Sequence, residues 1–179
     1  TGLTISAFWK RGGCERQRAL WGCFDKGFAM TTTDALFCSL TPLRLAELVR
    51  SARHAVCYAG PGLQLDLAQA MVEVAGRVGK EMLTVSLDFD DRVMRMGYGN
   101  VDAVKLLLDA GIAVQSSPGL RTALVVVDNE GYIFTPTALY LEAEPTDGAA
   151  SNAVRMSGEQ VAQALARLSP AAKTIAIAQ

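Results

Sequence analysis

Histidine is almost absent from this chain: His54 is the single imidazole in 179 residues. Any hydrolytic scheme that needs an imidazole as nucleophile or general base must run through that one side chain. Cysteine is sparse too, and Cys14, Cys23, Cys38 and Cys57 contain no CxxC pair. With one histidine beside them, the ligand spacing of a zinc site is missing, so no metal and no other cofactor is expected. Scattered thiols fit a reducing compartment, and the chain reads as cytoplasmic. Long apolar runs are lacking as well. The longest inside a plausible element is Ala123–Val127, far short of the roughly 20 residues of a membrane helix. The opening TGLTISAFWKRGGCER has no basic segment leading into a sustained apolar stretch, which argues against a secretory signal. Neither sign of charge dominates: 17 basic residues against 18 acidic ones leave a net charge of -1 and no global pull toward nucleic acid or acidic lipid. Arg11, Arg16, Arg18, Arg44, Arg50 and Arg53 weight the first third toward positive charge, a gradient first explained by solvated helix faces.

What is present is apolar material, half of all residues, enough to bury the core of one domain and to exclude a disordered chain. Residues 1–29 have another texture, with paired glycines and Trp9, Trp21, Phe24 and Phe28 at no helical or strand period. Met30 then opens an ordinary-looking protein start, and Lys26-Gly27 can be encoded by a purine-rich stretch just upstream of it. Residues 1–29 are therefore expected to be a translated leader or an artificial extension. The domain is expected over 30–170, with a weakly ordered tail at 171–179.

From Thr41 the pattern becomes regular. Thr41-Pro42 supplies an N-cap and a first-turn proline, and Leu45, Leu48, Val49 and Ala52 share a face, which predicts a helix over 42–53. A buried strand follows at 55–59, broken by Gly60-Pro61-Gly62. Leu67, Ala68, Met71, Val72, Ala75 and Val78 predict an amphipathic helix ending at Gly79. A strand at 83–87, a helix over 101–110 capped by Asn100, and a strand at 112–114 come next. Residues 123–127 and 132–134 predict a hairpin around Asp128-Asn129-Glu130-Gly131. A loop is expected at 148–152, and Ser157 with Gln160 forms a capping box opening a helix to Leu168. This order predicts an α/β fold: a mixed sheet with parallel strands first, a C-terminal antiparallel hairpin, and helices on both faces.

The hairpin stretch, LRTALVVVDNEGYIFTPTAL at 120–139, resembles the active-site hairpin of the phospholipase D superfamily, in which HxKxxxxD runs up one strand and GSxN arrives on the next. Anchored on Asp128, the nucleophilic histidine position holds Arg121, the lysine position Ala123, the Gly-Ser position Thr135-Pro136, and the asparagine position Ala138. Only the aspartate matches. An imidazole that attacks phosphorus and a lysine that holds its oxygens are both gone, and arginine and alanine inherit neither task. The element order over 45–142 is also that of one phospholipase D repeat. The resemblance thus implies a single-repeat domain with a degenerate motif, catalytically inactive, acting as a binding or dimerisation module. The members it resembles pair as homodimers, and Tyr132, Phe134, Leu139 and Leu141 are expected to form the apolar patch on that side.

Ligands of open α/β sheets collect where strands end and helices begin. That rule gathers Tyr58, Gly60, Gly62, Asp88, Arg95, Tyr98 and Arg121 into a candidate anion-binding rim, with nucleic acid, a phosphorylated small ligand or a protein as the partner. The glycines would let backbone N–H groups face an anion; a plain turn is the simpler explanation of Gly60-Pro61-Gly62. Arg95 and Tyr98 lie on a glycine-bent loop, where Arg95 either reads an anion or pairs with Asp88 or Asp91. Asp88-Phe89-Asp90-Asp91 superficially resembles the DxD motif of haloacid dehalogenase-type phosphatases, but it does not follow the first strand and lacks a later acidic pair in place. Asp88 is expected instead to cap a turn or to pair with Arg92 or Arg95. His54 precedes the first core strand, at the end of the sheet away from the rim. The alternative is a phosphodiesterase or nuclease with a rearranged site built from Arg121, Asp88 and Asp128. Arg121 at a pocket mouth contributes little to packing, so its reversal to glutamate is expected to spare the fold. Unfolding would make it an ion-pair partner of Asp88 or Asp128.

Overall fold

The computed structural model describes residues 36–88, 90–143 and 151–168, all within one unit, Ala35–Gln179. The expected leader at 1–29, the start at Met30 and the tail at 171–179 lie outside the described residues, as does most of the loop expected at 148–152.

Seven strands, β1 (Phe37–Cys38), β2 (Val56–Gly60), β3 (Leu83–Leu87), β4 (Val114–Ser116), β5 (Ala123–Val127), β6 (Glu130–Phe134) and β7 (Ala153–Arg155), form one sheet in the order β1-β7-β6-β5-β2-β3-β4. Strands β2, β3 and β4 are parallel. From β5 on, every pairing is antiparallel. The mixed α/β sheet expected from the sequence is what forms, with helices on both faces.

Side chains alternate across the pleat, and the period of two decides which helix covers which residue. Tyr58 of β2 and Val125 and Val127 of β5 enter the larger core, where Leu45 and Val49 of α1 (Pro42–Arg50) and Leu67, Met71 and Val74 of α2 (Leu65–Val78) meet them. Cys57 and Val126 face the other way and are covered by Val161, Leu165 and Leu168 of α5 (Gly158–Leu168). Two more helices, α3 (Asp91–Met96) and α4 (Val101–Asp109), lie between β3 and β4. None of the helices among the described residues is long and apolar enough to cross a membrane.

Local signals place the helix ends. Thr41 Oγ1 accepts the Arg44 N–H at 3.3 Å, and Asn100 Oδ1 accepts that of Asp102 at 2.8 Å. The capping box closes reciprocally: Ser157 N–H donates to Gln160 Oε1 at 2.8 Å and Gln160 N–H to Ser157 Oγ at 3.3 Å. Several features depart from the sequence expectation, among them the hairpin turn, which is Asp128-Asn129 alone because Glu130 and Gly131 already pair with Val127 and Val126 in β6. Helix α1 stops at Arg50, because the Ser51 N–H is shared between the Glu47 and Leu48 carbonyls. The strand expected at 112–114 begins at Val114, since the Ile112 N–H bonds back to Leu107 and closes α4. Residues 91–96, expected as loop, form α3, capped by Asp90 and ended by Gly97 in the left-handed region at φ 83°. Strands β1 and β7 were not expected. Two and three residues long, they are made by pairing to distant partners, Phe37 with Val154 and Ala153 with Phe134, rather than by any pattern of their own.

This topology sorts the chain between two sheet edges. The C-terminal ends of β2, β3 and β4 share one edge with the start of β5 and the end of β6. The residues just before β2 share the opposite edge with the hairpin turn after Val127, where Asp128 N–H donates to the Ala55 carbonyl at 2.9 Å.

Candidate functional site

The first of these edges gathers most of the rim. Asp88, directly after β3, is buried with 4% of its surface exposed, and its backbone N–H donates to the Gly60 carbonyl at the end of β2 at 3.1 Å. Its carboxylate is paired with the Arg121 guanidinium, which reaches across from the foot of β5. Neither partner expected for Asp88, Arg92 nor Arg95, takes that place. Arg121 donates through Nη1 to Asp88 and to its neighbour's carbonyl, Leu120 O, at 3.3 Å. Its Nε and Nη2 have no protein partner among the described residues, and the side chain is 59% exposed.

Tyr58 of β2 is buried in the larger core. Its hydroxyl donates to the Gly62 carbonyl at 2.8 Å, and burial pushes its phenol well above the ordinary range, so it stays a donor at neutral pH. A Cβ at Gly60 would come within 2.9 Å of that hydroxyl. At Gly62 a Cβ would sit 2.6 Å from the Tyr98 carbonyl oxygen, and at Gly99 2.6 Å from the Leu63 nitrogen. The two loops are held together by a backbone bond, Asn100 N–H on Leu63 O at 2.9 Å, and a side-chain bond, Gln64 Nε2 on Gly97 O at 2.9 Å. The space that glycine creates at Gly62 is therefore filled by the protein's own chain. Gly62→Ala should destabilise the fold by about 2 kcal/mol, as overpacking against rigid backbone does, and a urea melt with an unchanged slope checks it.

Arg95 stands apart. It is on α3, highly exposed, and its contact among the described residues is a 4.0 Å ion pair with Asp91 one turn away, a surface pair of little energetic weight. Asp90 caps α3 through the Arg92 N–H at 3.1 Å. The DxD resemblance thus dissolves into a buried ion pair, a helix cap and a surface pair. Among the described residues no group of three or more metal-capable side chains converges.

The opposite edge holds the remaining motif residue. Asp128 accepts the backbone N–H groups of Arg53 at 3.0 Å, His54 at 2.8 Å and Ala55 at 3.0 Å. One strand length, roughly 20 Å, separates it from Arg121. The set Arg121, Asp88 and Asp128 considered for a rearranged hydrolase therefore does not assemble, and exposed His54 is tied to the far edge with Asp128. The expected apolar patch also changes: Phe134 is buried, Tyr132 is partly covered and donates to Glu130 Oε1 at 2.5 Å, while Leu139 and Leu141 are exposed.

Beside the rim, on the α1 and α2 side of the sheet, a groove encloses about 500 Å³, open solvent at its mouth included. Tyr58, Tyr98 and Phe134 line it with Pro42, Pro136 and Leu139, and Gln64, Thr137 and Asn152 add polar atoms. Asn152 was passed over in a stretch that reads as loop. Its side chain accepts the Leu40 N–H at 2.8 Å and donates to Leu40 O at 3.0 Å and Thr135 O at 3.5 Å. That stitching across 112 residues has no local signal.

Neither a family model nor a curated protein matches the chain. Among solved structures it is similar to that of TrmBL2, an archaeal chromatin protein described as showing a novel mode of DNA binding, with 8% sequence identity and a TM-score of 0.40. The match covers 76% of this chain, which spans about half the length of that one (51%).

Proposed function

We propose that this chain is a phospholipase D-like domain that has lost phosphodiester cleavage and binds a phosphate-bearing ligand at the sheet edge around Arg121. One observation carries the proposal: the side chain at the family's nucleophile position is a guanidinium held by a buried carboxylate, with no protein partner for Nε and Nη2 among the described residues. A guanidinium keeps its proton at any physiological pH and cannot attack phosphorus, whereas its remaining donors suit phosphate oxygens. Ala123, at the lysine position, is fully buried in the core and offers nothing to a substrate. His54, the single histidine, sits at the other edge, where its backbone N–H donates to Asp128.

The test uses the full chain. With bis(4-nitrophenyl) phosphate, with and without magnesium, no turnover above buffer is expected, because nucleophile and phosphate-holding lysine act as a unit in such chemistry. Inorganic phosphate and a short single-stranded DNA are expected to bind with an affinity that falls as salt rises. Turnover that vanishes in Arg121→Ala would overturn the loss of cleavage, and absence of any phosphate or DNA binding at low salt would overturn the ligand class.

A further inference from the structure

We propose that the groove beside the rim is a site for an uncharged aromatic ring of a small molecule. None of its twelve lining residues is charged, so it offers no counter-charge to the phosphate that the rim would take, and the two ligand chemistries are separate. Its floor is made of Tyr58 and Phe134, whose rings tilt by 51° at a centroid distance of 6.5 Å, and Tyr98, Pro42 and Pro136 add three further ring faces. Flat partners gain both area burial and offset or edge-to-face contacts from such walls.

The polar atoms of the wall narrow the class further. Tyr58 Oη donates to Gly62 O, Gln64 Nε2 to Gly97 O, and both ends of the Asn152 amide are engaged by backbone. What is left without a protein partner among the described residues is the Gln64 Oε1 acceptor and the Tyr98 and Thr137 hydroxyls. An apolar ring with one N–H or O–H at its edge matches this set; an ion would have to shed its water for three neutral groups, which burial does not offset.

Indole is the probe, titrated into the full chain by calorimetry and followed by NMR for proximity of its ring protons to Leu45 and Leu67 methyls. Saturable binding with a Kd of about 1 mM or tighter is expected for a ring of this size. Indole-3-carboxylate and cyclohexanol should each bind at least about ten-fold more weakly, the first for its charge and the second for its lack of a flat face. Leu139→Trp, which fills the partly exposed mouth, and Tyr98→Ala, which removes a wall, should each weaken indole by about ten-fold while circular dichroism stays unchanged. Absence of saturable indole binding overturns the site, unchanged affinity in both folded variants overturns its location, and equal binding of the carboxylate or the alicyclic alcohol overturns the ligand class. None of these results bears on phosphate binding at Arg121, which is read with a different ligand.

Discussion

Asp128→Ala should lower stability by about 3 kcal/mol, because this one carboxylate terminates three backbone donors. The N–H groups of Arg53, His54 and Ala55 all end on it at 2.8–3.0 Å, and they belong to the segment that delivers the chain from α1 into the central strand β2. A bond to a charged acceptor is worth about 1.5–3 kcal/mol when its surroundings are dry. Here Arg53 and His54 are exposed, so water replaces part of what is lost and the sum falls well below three full bonds. Asp128 also has the sole positive φ among the described non-glycine residues, 53°, and alanine would inherit that geometry without the bonds that hold it. Asp128→Gly should therefore recover about 1 kcal/mol relative to alanine, and Asp128→Asn, which keeps one acceptor oxygen, should fall between alanine and the parent. Urea denaturation with constant slope reads all three. A loss of less than about 0.5 kcal/mol in the alanine variant would mean that the three donors are served equally by water.

The same contacts set a pH dependence. Burial raises the Asp128 pKa, the bonds from Ala55, Arg53 and His54 lower it, and the net is a carboxyl below its ordinary value. A folded pKa depressed below the unfolded one means that the stabilisation is fully present above about pH 4 and is lost as pH falls through the folded value. The gap between parent and Asp128→Asn should accordingly shrink on acidification below about pH 4.

What was legible in the sequence was what is written locally. The Thr41, Asn100 and Ser157 caps and the hairpin at 123–134 are decided within four to a dozen residues, and the structure has them in place. Asp128 was visible as a motif letter, yet its work concerns residues 53–55, which no spacing rule connects to it. The rim was half legible: strand ends predicted that Gly60, Asp88 and Arg121 share an edge, as they do, and Asp88 was one of two ion-pair partners considered for Arg121, but nothing in the sequence showed that Asp88 would be buried. Arg95 looked like a companion because α3 went unseen; a six-residue helix carries too few apolar positions for a period to show. The groove was invisible, since Leu40, Gln64, Phe134 and Asn152 come together only once β1, β6 and β7 have paired.

Arg121→Glu is where the sequence expectation and the structure part, and the effect should be the largest: a loss of about 4 kcal/mol where an intact fold was expected. Asp88 is almost wholly buried and Arg121 is its ion-pair partner, so reversal puts a second negative charge against a carboxylate that cannot reach water. Because the arginine side is more than half exposed, solvent softens the loss, and Arg121→Gln should lose less, about 2 kcal/mol. The decisive comparison is the double variant Asp88→Asn/Arg121→Gln. With no buried charge left to compensate, it should return to within about 1 kcal/mol of the parent, the non-additivity that marks a paired site. A double variant as unstable as the sum of its parts would show that the two residues act separately. The double variant also separates structure from ligand: it keeps the fold and lacks the guanidinium, so phosphate affinity should collapse in it while the melt stays near that of the parent. Unchanged phosphate binding in that folded protein would remove Arg121 from the ligand site and leave it the single task of neutralising Asp88.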